Sequence, residues 1–214
     1  MKHLLFTFDV VSPYAYLAFE RLPQVLQGLS YEVSYQPVLL SALLTHWDQR
    51  GPAEIAPKRE WTYRQVSWLA HHHRLLLQLP AQHPFNPLAL LRLALATSPA
   101  GATPNRWVCE AVLHHVWRGG ADAADPARLT ALAQQLSPQR DPQSPEVKEA
   151  LKSATADAVA RGVFGVPTIE VDGRLFWGLD GLELLSAYLR GDGWFDGPAW
   201  SDVARVPVGV QRKP

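Results

Sequence analysis

The chain has 214 residues, of which 47% are hydrophobic and 19% are charged, and this composition is typical of a folded globular protein. Its 20 basic residues balance its 20 acidic residues, so the charge does not indicate a nucleic acid or an anionic membrane as partner. The single cysteine, Cys109, excludes an intramolecular disulfide, a Cys-x-x-Cys redox pair and a thiolate zinc cluster. The apolar stretch before Asp9 is too short for a secretory signal, and no run approaches the ~20 residues of a membrane span, so we expect a soluble cytoplasmic protein.

The first part of the chain predicts a strand, a helix and a second strand. Residues 3–8 form a short apolar run, which indicates a buried strand. Ser12-Pro13 is a helix-start signal, a serine cap followed by proline in the first turn, and apolar residues then recur at helical spacing until Gly28. Residues 31–38 alternate between larger apolar and polar side chains, which predicts a second strand. Together these elements make one βαβ unit.

The middle of the chain is predicted to be helical, and strands return only near the end. Helical periodicity covers residues 58–77, 87–97, 106–117, 126–136 and 145–161. Two short strands follow at 167–171 and 174–177, joined by an Asp172-Gly173 hairpin turn, and a last helix begins at Asp180. Because separated strands must meet to bury their apolar faces, we predict a four-stranded mixed sheet. The predicted fold is α/β, thioredoxin-like with a large all-helical insertion: a discontinuous domain of residues 1–38 and 160–214, and an insertion subdomain of residues 39–159.

Motifs at both ends of the chain carry a family resemblance. The sequence FDVVSPYAYLA at 8–18, and the sequences GVFGVPT at 162–168 and FWGLD at 176–180, resemble motifs of the 2-hydroxychromene-2-carboxylate isomerases and kappa-class glutathione transferases, in the DsbA-like thioredoxin superfamily. Within the helical stretch, Pro57-Lys58-Arg59, Arg64, Pro84-Phe85-Asn86 and Leu91-Arg92 resemble the helical insert of the same family. The resemblance covers roughly residues 4 to 190.

Ser12 has two compatible interpretations. As a helix cap alone it would contribute about 1 kcal/mol to stability. A helix N-terminus also favours an anion, because its first N–H groups are unpaired. By resemblance, Ser12 occupies the place of the first cysteine of the redox relatives, so the thiol would come from a bound cofactor, glutathione or another low-molecular-weight thiol. The Ser12 hydroxyl would then donate to the sulfur and stabilise the thiolate as the catalytic group.

The C-terminal motif adds candidate cofactor-binding residues. The resemblance implies that Pro167 is cis and that the Val166 N–H and C=O face outward, where a peptide-like ligand can pair with them as an added strand. Asp180 is interpreted first as the N-cap of the last helix. Beside Gly178, it could also contact the α-ammonium of a γ-glutamyl group.

Three further positions belong to the predicted cofactor site, two of which depart from the family pattern. Leu179 precedes Asp180 where the family often has Asn or Ser, and Gly181 follows it where the family often has Arg. Gln49 aligns with an asparagine of the family that faces the thiol, and Lys58 is available for a carboxylate. These departures leave open whether the natural thiol is glutathione.

The histidine and tryptophan clusters are interpreted as structural. Consecutive residues on a helix point about 100° apart, so neither the histidines at 71–73 nor those at 114–115 can bind a single metal ion together. We therefore expect solvated helix faces and no metal site. Most of the eight tryptophans are expected in the core, with one or two lining an aromatic substrate pocket.

By resemblance, the predicted function is a glutathione-dependent isomerase of an aromatic-catabolism intermediate. The thiolate would add to an unsaturated 2-oxo acid, a bond would rotate or a ring open, and the thiolate would leave unchanged. The alternatives are a kappa-class-like glutathione transferase, in which the thiol adduct is the product, and a DsbA-like scaffold that has lost thiol binding. The predicted partner is a small-molecule substrate, and a homodimer is left open. A thiol–disulfide oxidoreductase is disfavoured, since Cys109 has no partner.

Overall fold

The computed structural model describes residues 1–210 and contains one four-stranded sheet. Its strands are β1 (Lys2–Phe8), β2 (Tyr31–Pro37), β3 (Thr168–Val171) and β4 (Arg174–Trp177), and their order in the sheet is β2-β1-β3-β4. β1 and β2 are parallel, whereas β1–β3 and β3–β4 are antiparallel. The predicted mixed sheet, with its strands drawn from both ends of the chain, is confirmed.

Helices fill the chain between β2 and β3. The helices are α1 (Pro13–Val25), α2 (Leu40–His46), α3 (Ala56–His72), α4 (Leu88–Ala96), α5 (Arg106–Trp117), α6 (Pro126–Leu136), α7 (Pro145–Ala160), α8 (Gly181–Leu189) and α9 (Pro198–Ser201). Short 3-10 turns occur at Pro52–Glu54, Gly193–Asp196 and Val203–Arg205. In the described chain no strand lies between β2 and β3, which confirms the helical insertion, and none of the described helices is both long and apolar enough to cross a membrane.

The core joins the sheet to the first helix. Alternate residues of β1, namely Leu4, Phe6 and Phe8, point to one side of the strand and are fully buried. The Phe6 ring packs against Phe19 of α1 and Tyr35 of β2, with ring centroids 6.3 and 5.8 Å apart. This aromatic contact packs the middle of α1 against β1 and β2.

The predicted burial of the tryptophans is wrong for most of the helical stretch. Trp61, Trp68 and Trp107 lie on outward faces of α3 and α5 and are 63%, 59% and 50% exposed. Trp117 is fully buried, and its indole N–H donates to the Val10 carbonyl at 2.9 Å. The helical insertion therefore supports the loop between β1 and α1 through Trp117.

Trp117→Phe tests this support. The substitution leaves the buried Val10 carbonyl without its donor, which should lower the free energy of unfolding by about 1–3 kcal/mol. The exposed Trp107 offers a matched control, because Trp107→Phe should stay within about 0.5 kcal/mol of the wild type. Urea unfolding of the three proteins measures the difference, and equal stabilities would contradict the assignment.

Candidate active site

A cleft of about 1090 Å³ opens at the N-terminus of α1. Its walls come from α1, the segment from α2 to the 3-10 turn, α3, the loop before α4, the loop before β3 and the start of α8. Charged and titratable residues on these walls are Asp9, Tyr14, Arg21, Arg50, Glu54, His73, His83, Asp180 and Glu183. The sheet domain and the helical insertion thus both contribute to one site.

Ser12 caps α1 and faces the cleft. Its Oγ accepts the Ala15 N–H at 3.2 Å, so the cap interpretation is confirmed. Its hydroxyl also donates to the Val166 carbonyl at 3.3 Å. That distance is long for an O–H···O bond, whose usual value is about 2.7–2.8 Å. The hydroxyl can therefore turn toward a better acceptor placed beside it, at the positive end of α1.

The loop that carries Ser12 is held from the helical insertion. His83 Nε2 lies 2.7 Å from the Val11 carbonyl, and His83 Nδ1 lies 2.8 Å from the Tyr63 hydroxyl. A carbonyl only accepts, so Nε2 carries the ring proton and Nδ1 accepts from Tyr63. Burial, together with the nearby Arg59, lowers the pKa of His83 and keeps the ring neutral in this role.

Asp9 is a buried carboxyl group on the floor of the cleft, and the sequence motifs did not single it out. Its Oδ1 accepts the Val11 N–H at 3.0 Å, and its Oδ2 accepts the Leu40 N–H at 2.8 Å. Burial raises the pKa of Asp9 to about 7, although both hydrogen bonds favour the ionised form. Asp9 joins the Ser12 loop to the first turn of α2.

Val166 and Pro167 lie directly opposite Ser12. The peptide bond between them is cis, as the resemblance implies. The Val166 N–H donates to no protein group among residues 1–210, whereas its carbonyl accepts the Ser12 hydroxyl. The Pro167 carbonyl accepts the Gly178 N–H at 2.9 Å and is thereby engaged within the fold.

Asp180 stands at the N-cap position of α8, but its carboxylate makes no cap hydrogen bond. The cap interpretation of Asp180 is therefore wrong. The carboxylate lies over Gly178, where φ is +89° and an added Cβ would collide with Oδ1. Glycine at 178 thus leaves room for an exposed carboxylate that is free to contact a ligand in the cleft.

The predicted cofactor residues fall along the cleft with one exception. Gln49 and Leu179 line it, as do Ser12, the Val166–Pro167 pair and Asp180. Lys58 is exposed in the first turn of α3 and is not among the lining residues. Its contact with a carboxylate stays a prediction.

Trp177 lines the cleft, as expected of one or two tryptophans, and forms an aromatic pair with Phe164 at 5.0 Å between ring centroids, next to Val166. The sequence did not predict Phe164 or His73 as lining residues. His73 lines the cleft and lies with its Nδ1 2.7 Å from Arg21 Nη1, so the expectation of a solvated histidine face is wrong at this residue. His73 follows α3 as its C-cap residue and contacts Arg21 of α1, which helical periodicity alone does not show.

The second histidine pair also departs from the expected solvated face. His114 Nε2 lies 2.7 Å from Glu20 Oε1, and His115 Nε2 lies 3.0 Å from a backbone carbonyl. Glu20, Glu110 and His114 place one ligand atom each within 4.8 Å of one another, but Arg118 occupies the second oxygen of Glu20 at 2.9 Å. An ion-pair network accounts for this cluster.

Cys109 is fully buried in α5. Burial raises the pKa of its thiol well above the usual range, so the thiol is the stable form at neutral pH. A buried thiol without a neighbouring cysteine does not serve disulfide exchange. The nucleophilic sulfur of any thiol chemistry in this cleft must come from a ligand.

Comparison with known proteins gives consistent matches. The family model of the DSBA-like thioredoxin domain matches residues 3–190. The 2-hydroxychromene-2-carboxylate isomerase of Sphingobium xenophagum is 28% identical over 198 residues, covering 88% of this chain and 98% of the relative. Glutathione S-transferase kappa 1 of Homo sapiens is 25% identical over 213 residues, covering 87% of this chain and 90% of the relative. A solved 2-hydroxychromene-2-carboxylate isomerase superposes with a TM-score of 0.77 at 20% identity, covering 94% of this chain and 98% of that one. These similarities confirm the resemblance and the fold.

Proposed function

Because the chain belongs to the DSBA-like thioredoxin domain family, we propose that it is an enzyme that binds a small thiol, first of all glutathione, in the cleft beside Ser12. The observation that carries the proposal is the Ser12 hydroxyl at the N-terminus of α1, opposite a Val166 N–H that has no partner in residues 1–210. The names of the curated relatives, an isomerase and glutathione transferases, support the enzyme class.

The polar groups of the cleft fit a γ-glutamyl peptide thiol. The N–H and C=O of Val166 would pair with the ligand main chain as an added strand. The Asp180 carboxylate, free of any cap bond, would take the α-ammonium group. The backbone at Gly178 and the side chain of Leu179 would lie against the peptide, and Gln49 would contribute an amide from the opposite wall.

A bound thiol would supply a nucleophilic sulfur for reversible addition to an unsaturated 2-oxo acid. Ser12 would donate its O–H to that sulfur, and the N-terminus of α1 would add its positive potential. Lowering a thiol pKa by about two units requires roughly 2.7 kcal/mol, which a hydroxyl donor and a helix N-terminus together can supply.

Isomerisation of a 2-hydroxychromene-2-carboxylate-like compound from aromatic catabolism is the activity we place first. The isomerases support it with similarity over nearly their whole length in both sequence and structure. Transfer is the second candidate, in which the thiol leaves as part of the product, and the kappa-class relative supports it. A scaffold without thiol binding is the non-enzymatic alternative. The cytoplasmic location and the homodimer stay predictions.

Titration calorimetry with glutathione, γ-glutamylcysteine and cysteine tests the proposal. We expect saturable binding of glutathione, with weaker binding of γ-glutamylcysteine and of cysteine as main-chain contacts are removed. Saturable binding of γ-glutamylcysteine alone would identify γ-glutamylcysteine, and not glutathione, as the cofactor. The absence of saturable binding for all three thiols would leave only the scaffold alternative.

Asp180→Asn should weaken glutathione binding about 10- to 100-fold, because a hydrogen bond to a charged group is worth about 1.5–3 kcal/mol. Asp157 is an exposed aspartate of α7 outside the cleft, so Asp157→Asn is the matched control and should leave the affinity unchanged. Calorimetry on the three proteins measures the difference. Equal affinities would remove Asp180 from the binding site.

A further inference from the structure

The cleft contains a positive charge that the proposed thiol site does not use. Arg21 lies on α1 nine residues after Ser12, which places it about 13 Å along the helix axis. His73, the C-cap residue of α3, is in direct contact with it, with 2.7 Å between Arg21 Nη1 and His73 Nδ1. The two side chains tie α1 to α3.

The protonation of this pair follows from its hydrogen bond. A guanidinium group only donates, so His73 Nδ1 accepts, and the ring proton is on Nε2. Burial and the neighbouring charges of Arg21 and His72 lower the pKa of His73, whereas Glu183 opposes this effect. The pair therefore carries one positive charge, on Arg21.

Arg21 has no acidic partner in the described part of the chain. Two other partly buried arginines are ion-paired, Arg118 with Glu20 at 2.9 Å and Arg161 with Glu170 at 2.8 Å, and Arg106 and Arg128 donate to hydroxyl or backbone carbonyl oxygens. For Arg21 no carboxylate oxygen of residues 1–210 lies within 4.0 Å, and besides His73 it has only a 3.5 Å contact with Gln24 Oε1. A half-buried guanidinium with spare donors in a ligand cleft is suited to an anion, and its fork matches a carboxylate.

The surroundings of the pair are apolar. Val25 lies one helical turn beyond Arg21 on α1, and Leu69 lies one turn before His73 on α3, and both line the cleft. Leu182 of α8 contributes from the third side. A ligand here would place hydrocarbon against these side chains and an anionic end on Arg21.

We propose that Arg21 and His73 form a carboxylate-binding subsite in the cleft. The identity of the ligand rests on the proposed function, and two sources offer the same chemistry: the α-carboxylate of the γ-glutamyl thiol, or the carboxylate of the 2-oxo acid. The cleft volume of about 1090 Å³ lies just above the usual range for ligand sites, which leaves room for both molecules.

Glu183 is the opposing charge in this region. It is exposed at the start of α8, lines the cleft and lies close enough to His73 to affect its pKa. Because its charge repels an incoming anion, Glu183→Gln should tighten carboxylate binding about twofold.

Two pairs of probes test the subsite by calorimetry. Glutathione is compared with γ-aminobutyryl-cysteinyl-glycine, which lacks only the α-carboxylate. Benzylidenepyruvate is compared with benzylideneacetone, in which a methyl group replaces the carboxylate. Arg21→Gln should weaken binding of one of the two carboxylated probes about 10- to 100-fold and leave binding of the counterpart that lacks this carboxylate unchanged. Arg21→Lys should give an intermediate loss, because an ammonium cannot form the two parallel bonds. Arg64→Gln, at an exposed arginine of α3 outside the cleft, is the control.

The pair in which the selective loss occurs identifies the source of the carboxylate. A purely structural tie between α1 and α3 would instead lower the melting temperature of Arg21→Gln and change both members of each pair equally, which would overturn the subsite. If glutathione does not bind the wild type, the proposed function fails. The comparison of benzylidenepyruvate with benzylideneacetone then still tests whether Arg21 binds a carboxylate. Failure of both carboxylated probes to bind would also overturn the subsite.

Discussion

Ser12→Ala is expected to reduce turnover about 10²–10³-fold, the typical effect of removing one preorganised donor to a developing anion. The N-terminus of α1 should leave some activity, because its N–H groups remain in place. The pKa of the bound thiol should rise, since its thiolate loses the hydroxyl donor. Ultraviolet absorbance of the thiolate against pH, measured on the glutathione complexes of wild type and variant, reports this shift without any knowledge of the natural substrate.

The same substitution also removes the cap of α1, so the structural effect must be separated from the catalytic one. Loss of the Oγ bond to Ala15 should cost about 1 kcal/mol, which corresponds to about 2–4 °C in melting temperature for a chain of this size. Ser144 provides the matched control, because its Oγ caps α7 by accepting the Val147 N–H at 3.3 Å, outside the cleft. Ser144→Ala should lower the melting temperature by a similar amount and leave glutathione conjugation of chlorodinitrobenzene unchanged.

If Ser12→Ala behaves like Ser144→Ala, Ser12 is only a cap. Ser12→Cys gives a second test of whether the N-terminus of α1 stabilises a thiolate. Its thiol would lie at the N-terminus of α1 and form a mixed disulfide with oxidised glutathione, which mass spectrometry detects. Absence of that disulfide, together with an unchanged thiolate titration in Ser12→Ala, would remove the thiol from this end of the cleft.

Local capping signals explain why most helix starts could be predicted from the sequence. α5, α6 and α7 begin at the predicted residues, and each is capped by a side chain immediately before it: Asn105, Asp125 and Ser144. α2 was missed because its cap is not local. Leu39 has no side-chain acceptor. The Leu40 N–H instead donates a hydrogen bond to the carboxylate of Asp9, which lies 31 positions earlier in the chain. Sequence periodicity does not contain that contact.

The residues of the candidate site also fall into two groups, those that the sequence predicts and those that depend on distant contacts. Ser12, Val166, Pro167 and Asp180 could be found from motifs, because the motif residues lie on the sheet domain, at the N-terminus of α1 and around β3 and β4. Apart from Gln49, the contributions of the insertion were not predictable, since they depend on how α3 and the loop before α4 pack against α1. His83 is an example: its contact with Val11 joins residues 72 positions apart. Periodicity assigns such a residue to a face but not to a neighbour.

Asp9 carries the second large expected effect, a pH dependence of stability. Burial raises its pKa to about 7 in the folded chain, whereas an unfolded chain has an aspartate pKa of about 3.9. Between these values the folded state holds a proton that the unfolded state has released, so stability falls as pH rises through this range. The contribution is fully present below the unfolded pKa and is lost as pH rises through about 7. Its full size is about 4 kcal/mol.

Asp9→Asn removes this titration. An amide has one acceptor oxygen, so one of the two N–H groups of Val11 and Leu40 loses its partner, and the variant should be less stable than the wild type by about 1–3 kcal/mol in acid. Between about pH 4.5 and about pH 8.5, the stability of the wild type relative to the variant should fall by about 3 kcal/mol, so that the variant equals or exceeds the wild type in base. Urea unfolding at the two pH values measures both free energies.

Trp117→Phe is the control, because it removes a buried hydrogen bond of the same loop without removing a titrating group, and its loss of stability should not change with pH. A constant deficit for Asp9→Asn as well would mean that Asp9 is ionised throughout and that its two backbone hydrogen bonds outweigh the cost of burial.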